Sequence, residues 1–337
     1  MARVATIVTI VGAGSWGTAL AVHLARGGER VTLWARNPEI VEAVRARRRN
    51  PWYLTDVDLP PGVEATADVE AALAAATLVI VAVPSEFFAA TLTRLGPVRV
   101  PVVSATKGFE PGRHRRMSEV VAERWPGVGV AVLSGPSFAR EVAMAQPTAA
   151  VIASRDDALA AELQRRLGSR EFRLYTNRDV VGVEVGGATK NVIALATGLA
   201  DGLGLGENAR AALVTRGLAE MTRLAVALGG EPATLAGLAG LGDLVLTATG
   251  SLSRNRALGM ALARGESRAD AQRATRMVAE GVPTVASALA LAARHGVTLP
   301  IAAEVAAVLF EGKSPADALA SLLGRAATRE DGLRGRS

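Results

Sequence analysis

Three lysines stand out in a chain whose positive charge comes almost entirely from arginine. They are Lys107, Lys190 and Lys313, among 38 lysine and arginine residues in all. Lys190 lies in GGATKNVIALATG, a helical pattern rich in glycine and alanine. Reduction of a carbonyl by hydride requires a proton donor for the developing alkoxide, and no histidine is suitably placed. Lys190 is therefore the predicted general acid, although a lysine that merely extends from a packed helix is the structural alternative.

A second polar cluster, Ser253, Arg254 and Asn255, follows a glycine-containing turn. One guanidinium beside two small polar side chains suits an oxyanion such as phosphate. The alternative is that Arg254 is an ordinary surface charge. Asp243 lies between two glycine-bearing stretches, so we expect it either to orient a lysine or a substrate hydroxyl, or simply to cap a helix.

Gly12, Gly14 and Gly17 form a GxGxxG pattern directly after the β-branched run IVTIV and directly before a helical pattern. In that setting the glycines permit a tight turn, close approach of the backbone to a pyrophosphate, and close packing of strand on helix. The helix N-terminus would supply amide donors to the phosphates. A second strand, RVTLW, completes the unit, so we predict a dinucleotide site rather than a merely structural turn.

The end of that second strand indicates which nicotinamide cofactor is preferred. Sites for NAD usually carry Asp or Glu there, which accepts hydrogen bonds from the ribose hydroxyls. This chain has Ala35, Arg36 and Asn37 instead. Arg36 cannot accept but can pair with a 2′-phosphate, so we predict NADP(H), with NAD(H) possible and a solvated surface arginine as the alternative.

The elements that must position these residues differ between the two halves of the chain. From residue 4 to about 175, six β-branched runs alternate with helical patterns, which predicts a doubly wound α/β domain with a parallel sheet. SATKG and LSGPSF then follow strands, where open α/β sheets bind ligands. From Asp179 onward Ala/Leu-rich helical patterns take over. We predict domains 1–178 and 179–337, the second all-helical.

Composition excludes several classes of protein. A length of 337 residues with 50% hydrophobic and 21% charged side chains predicts a globular chain of two domains. There is no cysteine, and the three histidines are far apart, so disulfides, thiolate chemistry and a metal site are not expected. The longest apolar run, Ala71 to Val83, is too short to span a bilayer. We expect a cytoplasmic protein without stable membrane insertion.

The net charge of +6 and the pI of about 10.5 admit binding of a polyanion. A surplus of six charges over 337 residues is diffuse, however, and one small anion would suffice to explain a local basic site. A dinucleotide-sensing protein that binds nucleic acid remains a remote alternative. It would need a compact basic element, and the nearest is RARRRN at 45–50.

These segments together resemble the bacterial NAD(P)-dependent sn-glycerol-3-phosphate dehydrogenase family. The resemblance covers almost the whole chain and rests on GAGSWGTALA, NPWYLTDVDLP, VPSEFF, SATKGFE, LSGPSFAREVA, GATKNVIALATGLADGLG, GLGDLVLTATGSLSRNR and VAEGVPT. It implies interconversion of dihydroxyacetone phosphate and sn-glycerol 3-phosphate, which supplies glycerol phosphate for phospholipid synthesis. It also implies an N-terminal Rossmann domain, a helical C-terminal domain and a homodimer.

The resemblance also implies site residues. Lys190 is the proton donor or acceptor, with Lys107 and Asp243 in catalytic support. The implied substrate contacts are Lys107, Gly135, Ser137, Lys190, Asp243, Thr247, Ser253, Arg254 and Asn255. The implied dinucleotide contacts, besides the three glycines, are Ser15, Trp16, Arg36, Tyr53, Phe87, Lys107, Ala139, Arg254, Val278 and Glu280. Thr189 departs from the family signature, which generally has an aliphatic residue before the lysine, and this puts local packing in doubt.

A second enzyme class shares this architecture and sometimes the lysine. It comprises the 3-hydroxyacid and 3-hydroxyacyl-CoA dehydrogenases. The Ser-Arg-Asn cluster at 253–255 and the segment LSGPSF argue against that alternative.

Overall fold

The computed structural model describes residues 7–274 and 279–326, which divide into two compact units. The first unit comprises the described part of Met1–Glu110 together with Arg115–Val180. The second comprises Pro111–His114 and the described part of Val181–Ser337.

The first unit is built on one eight-stranded sheet. Its strands are β1 (Ile7–Val11), β2 (Arg30–Trp34), β3 (Val63–Thr66), β4 (Ala76–Val81), β5 (Val102–Ser104), β6 (Val130–Ser134), β7 (Thr148–Ala153) and β8 (Phe172–Asn177). Their order is β3-β2-β1-β4-β5-β6-β7-β8, and every pair is parallel except β6 with β7. The first six strands follow the doubly wound order, so the predicted fold class is confirmed.

Both faces of the sheet are covered. The helices of this unit are α1 (Ser15–Arg26), α2 (Pro38–Arg47), α3 (Val69–Leu73), α4 (Ser85–Leu95), α5 (Met117–Arg124), α6 (Ala139–Ala143) and α7 (Asp157–Leu167). Strand β4 sends Leu78 and Ile80 into one buried apolar cluster, and Val79 and Val81 into another. Burial on both faces explains why β4 reads as a continuous apolar run rather than an alternating one.

The sheet departs from the prediction in two respects. We expected a wholly parallel sheet, but β6 and β7 run antiparallel, with Val132 opposite Ala153 and Ser134 opposite Val151. The connection between them contains only the five-residue helix α6, which packs against α1. In addition, β3 and β8 were not among the predicted strands. Both are edge strands with exposed residues along their length, so neither forms a continuous apolar run.

Arginines of the basic run at 45–49 form hydrogen bonds and an ion pair within the first unit. The Arg45 guanidinium donates to the Ala65 carbonyl oxygen at 2.9 Å, and that of Arg48 donates to the carbonyl oxygens of Pro60 and of Val63, the latter at 2.8 Å. Arg49 pairs with Asp58 at 2.5 Å. Three of these arginines therefore hold backbone carbonyls or a carboxylate within the first unit.

The second unit is helical throughout its described residues, as predicted. Its helices are α8 (Val180–Gly202), α9 (Gly206–Ala227), α10 (Pro232–Leu235), α11 (Asp243–Thr249), α12 (Arg254–Ala263), α13 (Arg268–Ala274), α14 (Gly281–Arg294), α15 (Pro300–Phe310) and α16 (Pro315–Leu323), with a π-helical turn over Leu238–Gly242. Helix α8 is buried along almost its whole length, so it is the central helix of this unit.

One helical stretch, Pro232–Thr249, is long and apolar enough to cross a membrane by length and composition. It consists of α10, the π-helical turn and α11, and 44% of it is buried. It also carries the buried carboxylate of Asp243, which pairs with a lysine of α8.

Helix α9 carries a buried acid, Glu220, whose side chain is 4% exposed. Its carboxyl oxygens accept hydrogen bonds from the backbone N–H groups of Ile301, at 2.6 Å, and Ala302, at 3.2 Å, at the start of α15. Burial raises the pKa of this carboxyl to about 7, although the two N–H groups oppose the shift.

This raised pKa predicts a pH dependence of stability. Between about pH 4.5 and pH 7 the folded chain retains a proton on Glu220 that the unfolded chain releases, so stability falls as the pH rises through this window. Relative to Glu220→Gln, the wild-type free energy of unfolding should decrease by about 3 kcal/mol across it. Urea denaturation of both proteins at several pH values measures the difference, and a difference that does not vary with pH contradicts the prediction.

Candidate active site

The glycine turn between β1 and α1 fits a dinucleotide. A Cβ on Gly17 would lie 1.8 Å from the Gly12 carbonyl oxygen, so this glycine is required by the contact of strand and helix. Gly14 has no such requirement, because its φ is −72° and a Cβ there would meet nothing within 4 Å. It precedes the first turn of α1 and provides no side-chain cap. A glycine with open space above it at a helix N-terminus allows a pyrophosphate to approach the backbone.

The difference between these glycines gives a direct test. Gly14→Ala should cost at most about 1 kcal/mol of stability, since the backbone angles suit alanine. Its methyl group would nevertheless occupy the approach to the backbone, and we expect the Kd for NADPH to rise at least about tenfold, or about 1.4 kcal/mol. Fluorescence titration with NADPH and thermal melting measure the two effects. Unchanged affinity would show that no phosphate approaches Gly14.

At the end of β2, the structure places Arg36 beside Phe87. The Arg36 guanidinium carbon lies 5.7 Å from the centroid of the Phe87 ring, and both side chains are exposed. Asn37 caps α2, its side-chain oxygen accepting from the Glu39 N–H at 2.9 Å. The residues directly after β2 are Ala35, Arg36 and Asn37, so no carboxylate lies there to accept hydrogen bonds from the ribose hydroxyls. This arrangement can hold a 2′-phosphate.

Three further predicted dinucleotide contacts pack on the same apolar cluster of the first unit. Trp16, Tyr53 and Ala139 are partly buried and pack against the same apolar cluster. The Trp16 ring meets Phe172 edge to face at 6.5 Å, and its Nε1 is buried without a hydrogen-bond partner among the described residues. The contacts of these side chains with a dinucleotide remain a prediction.

The residues predicted after β5 and β6 meet at one carbonyl group. The Lys107 ammonium donates to the Gly135 carbonyl oxygen at 3.0 Å, and the Ser137 hydroxyl donates to the same oxygen at 2.9 Å. Gly135 has φ of +129°, which favours glycine, and a Cβ there would lie 3.0 Å from the Ala150 Cα. Lys107, Gly135 and Ser137 therefore form one cluster at the carboxyl ends of neighbouring strands.

In the helical unit, Lys190 is held in a buried polar cluster. Its ammonium donates to the Asp243 carboxylate at 2.6 Å and to the Thr247 hydroxyl at 2.7 Å. That hydroxyl in turn donates to the Asp243 carbonyl oxygen at 2.7 Å. The side chains of Lys190 and Asp243 are only 8% and 1% exposed. A buried ammonium fixed by two acceptors is oriented well enough to transfer a proton along one direction.

Helix packing explains how this cluster is built. Asp243 is the first residue of α11, where the positive end of the helix dipole stabilises a carboxylate. The preceding π-helical turn is a distortion that is frequent at functional sites. Thr189, which departs from the family signature, donates its hydroxyl to the Val185 carbonyl oxygen at 2.7 Å, so the polar substitution is satisfied within α8.

The Ser-Arg-Asn cluster lies at the start of α12. The Ser253 hydroxyl caps the helix by accepting from the Arg256 N–H at 3.3 Å. Asn255 is buried, donates to the Asn191 side-chain oxygen at 2.8 Å and accepts from the Gly281 N–H at 3.0 Å. Arg254 is exposed. The structure therefore gives Ser253 and Asn255 internal partners and leaves the Arg254 guanidinium facing solvent beside a helix N-terminus.

Helices α8 and α12 are in backbone contact. A Cβ on Gly198 would lie 2.1 Å from the Arg256 carbonyl oxygen, and one on Gly259 would lie 2.3 Å from the Leu195 carbonyl oxygen. The buried Asp201 carboxylate at the end of α8 accepts from the Arg256 guanidinium at 2.6 Å. The helix that carries Lys190 and the helix that carries Arg254 are therefore fixed against each other.

Sequence reasoning did not single out Asn191, which follows Lys190. Its Nδ2 is buried without a hydrogen-bond partner among the described residues, while its Oδ1 accepts from Asn255. The available signal was an amide within an otherwise apolar helical pattern. Glu280 precedes α14, and its carbonyl oxygen accepts from the Thr284 hydroxyl at 2.6 Å. Val278 lies outside the described residues.

Within the described ranges, no group of three or more His, Cys, Asp or Glu side chains could hold a metal ion. The candidate groups are Lys107 and the glycine turn in the first unit, and Lys190 and Arg254 in the second.

Comparison with known proteins assigns both units to one family. Models described as the N-terminus and the C-terminus of NAD-dependent glycerol-3-phosphate dehydrogenase match residues 7–160 and 179–320. The chain is 50% identical over 328 residues to glycerol-3-phosphate dehydrogenase [NAD(P)+] of Rhodospirillum rubrum, covering 96% of this chain and 94% of that protein. It is 53% identical over 331 residues to the protein of that name from Nocardia farcinica, covering 95% and 98%.

A solved structure agrees. Glycerol-3-phosphate dehydrogenase from Coxiella burnetii superimposes with a TM-score of 0.92 at 43% identity, over 95% of this chain and 99% of that one.

Proposed function

Because the chain belongs to the NAD-dependent glycerol-3-phosphate dehydrogenase family, we propose that it interconverts dihydroxyacetone phosphate and sn-glycerol 3-phosphate with NAD(P)H. The observation that carries this proposal is the position of Lys190, which is buried and paired with Asp243. Its helix, α8, contacts α12, the helix that begins with the exposed Arg254. A proton donor and an anion site on two packed helices suit a small phosphorylated ketone.

Lys190 is the proposed general acid in the reductive direction. Bound NAD(P)H supplies the hydride that adds to the ketone carbon. As negative charge develops on the carbonyl oxygen, the Lys190 ammonium donates a proton to it, and in oxidation the neutral amine accepts that proton. Asp243 and Thr247 hold the Nζ atom in place, which removes the entropic cost of finding the reactive orientation.

Arg254 is the proposed partner of the substrate phosphate. Its guanidinium is exposed at the first residue of α12, where the helix dipole also favours an anion. Asn255 and Ser253 hold that turn in shape through their internal hydrogen bonds. Lys107, held on the Gly135 carbonyl, is the proposed second cation for substrate and cofactor.

We propose that the first domain, 1–178, binds the dinucleotide and the second, 179–337, binds substrate and carries the general acid. Arg36 and the absence of a carboxylate after β2 support a preference for NADP(H), with NAD(H) also used. By family membership we further propose a cytoplasmic homodimer that supplies glycerol phosphate for phospholipid synthesis. Light scattering of the purified protein tests the dimer.

An oxidation assay tests the function. Loss of NADPH absorbance is followed with dihydroxyacetone phosphate, then with unphosphorylated dihydroxyacetone, and finally with NADH in place of NADPH. We expect rapid turnover only with the phosphorylated ketone. At cofactor concentrations below KM, turnover should be faster with NADPH than with NADH. A 3-hydroxyacid turned over in preference to glycerol phosphate would withdraw the substrate assignment, and an NADH preference would remove Arg36 from its proposed role.

A further inference from the structure

Asn50 lies at the end of the basic run and is 0% exposed. Its Nδ2 donates to the Ala13 carbonyl oxygen at 2.9 Å and to the Thr18 hydroxyl at 2.9 Å. Its Oδ1 accepts from the backbone N–H groups of Trp52, at 3.0 Å, and Tyr53, at 3.1 Å. Both oxygen lone pairs and both N–H groups of the amide are therefore used inside the protein.

The orientation of this amide is determined by its partners. The Ala13 carbonyl oxygen can only accept, and the N–H groups of Trp52 and Tyr53 can only donate. An aspartate at position 50 could serve Trp52 and Tyr53, but it would place an oxygen against the Ala13 oxygen. Asparagine is the side chain of this size that satisfies both sides.

These partners belong to two different parts of the candidate dinucleotide site. Ala13 lies between Gly12 and Gly14, and Thr18 lies in the first turn of α1, where its N–H donates to the Gly14 carbonyl oxygen at 2.9 Å. Asn50 thus fixes the glycine turn from inside the protein.

On its other side, Asn50 fixes the start of the segment 50–58, which carries Tyr53. The far end of that segment is held by an ion pair of 2.6 Å between Asp56 and Arg140, the residue after Ala139, and by the pair of Asp58 with Arg49 at 2.5 Å. Both ion pairs are exposed and hence weak. Tyr53 and Val57 also pack on the apolar cluster that includes Ala13, and the buried amide adds a direct hydrogen-bonded connection between the glycine turn and this segment.

We propose that Asn50 is a positioning residue for the dinucleotide, holding the glycine turn and Tyr53 in one geometry so that both meet the cofactor without rearrangement. This inference rests on the proposed function. It assigns Asn50 no contact with the cofactor, because its four hydrogen bonds are all internal. Its effect should appear in cofactor affinity and not in the chemical step.

The test compares NADPH binding in wild type and Asn50→Asp by fluorescence titration, together with thermal melting and steady-state kinetics. Loss of the hydrogen bond to the Ala13 carbonyl oxygen, which a carboxylate cannot donate, should raise the Kd for NADPH about 10- to 100-fold. The KM for NADPH should rise with it, while kcat at saturating NADPH stays within about twofold of wild type. Thr18→Val removes one acceptor of the Asn50 amide and, as a milder variant, should raise the Kd about two- to fivefold.

Thr9→Val is the matched control. It deletes a buried hydrogen bond in the same unit, from the Thr9 hydroxyl to the Ala72 carbonyl oxygen at 2.6 Å, without touching the glycine turn. We expect a lower melting temperature with wild-type NADPH affinity. The inference is overturned if Asn50→Asp and Thr18→Val both bind NADPH as wild type does, or if Thr9→Val weakens binding as much as they do. If wild type binds neither NADPH nor NADH, the proposed function itself fails.

Discussion

Replacing Lys190 with alanine is expected to lower kcat for reduction of dihydroxyacetone phosphate by about 10²- to 10⁴-fold, the usual contribution of a positioned general acid. The Kd for NADPH should remain close to that of wild type, because the glycine turn and Arg36 belong to the other unit. Steady-state kinetics and fluorescence titration measure the two quantities. Turnover near the wild-type rate would remove Lys190 from proton transfer.

Lys190→Ala also leaves the Asp243 carboxylate buried without its cation, which costs about 3–5 kcal/mol of stability. The double variant Lys190→Met with Asp243→Asn removes both charges and should melt near wild type while remaining inactive. Lys313→Ala is the matched control, since Lys313 pairs with Glu304 at 2.6 Å and has no proposed role in catalysis. It should keep full activity.

Replacing Arg254 with alanine is expected to raise the KM for dihydroxyacetone phosphate about 10- to 100-fold, since a charge-assisted hydrogen bond to the phosphate is lost. The small activity toward unphosphorylated dihydroxyacetone should not change, because that substrate lacks the anion. The ratio of kcat/KM for the two ketones is therefore the decisive measurement.

Arg264→Ala provides the control, because Arg264 is an exposed arginine at the opposite end of the same helix and pairs with Glu266 at 2.9 Å. Its loss changes the net charge equally and should leave both KM values as they are. An unchanged KM in Arg254→Ala would place the phosphate elsewhere.

Much of the fold could be predicted because its information is local. Strands β1, β2 and β4 are mostly buried runs of β-branched and aliphatic residues, and such runs can be recognised as strands from the sequence. The edge strands β3 and β8 cannot be recognised in this way, because VEAT contains an exposed glutamate, and FRLYTN has several exposed positions and an arginine. The antiparallel pairing of β6 with β7 was also out of reach, since strand direction depends on the path of a connection and not on the residues of the strand.

The candidate site shows the same limit. Lys190 could be selected from its rarity and its glycine-rich surroundings, but its pairing with Asp243, 53 residues away, is decided by how α8 packs on α11. Sequence reasoning left Asp243 open between a helix cap and a lysine partner, and the structure places it against Lys190. Asn50 begins the segment NPWYLTDVDLP, but its role was not predicted because three of its four partners are backbone groups, which every residue possesses.

The backbone contact between α8 and α12 has a consequence for selectivity. Since glycines at 198 and 259 let the two helices touch without intervening side chains, the spacing between the backbones of α8 and α12 is set by main-chain contact. Repacking side chains cannot lengthen it. A side chain at position 198 or 259 would push the helices apart and change the distance between the Lys190 ammonium and the Arg254 guanidinium. If Lys190 and Arg254 bind the two ends of the substrate as proposed, this contact should disfavour longer sugar phosphates.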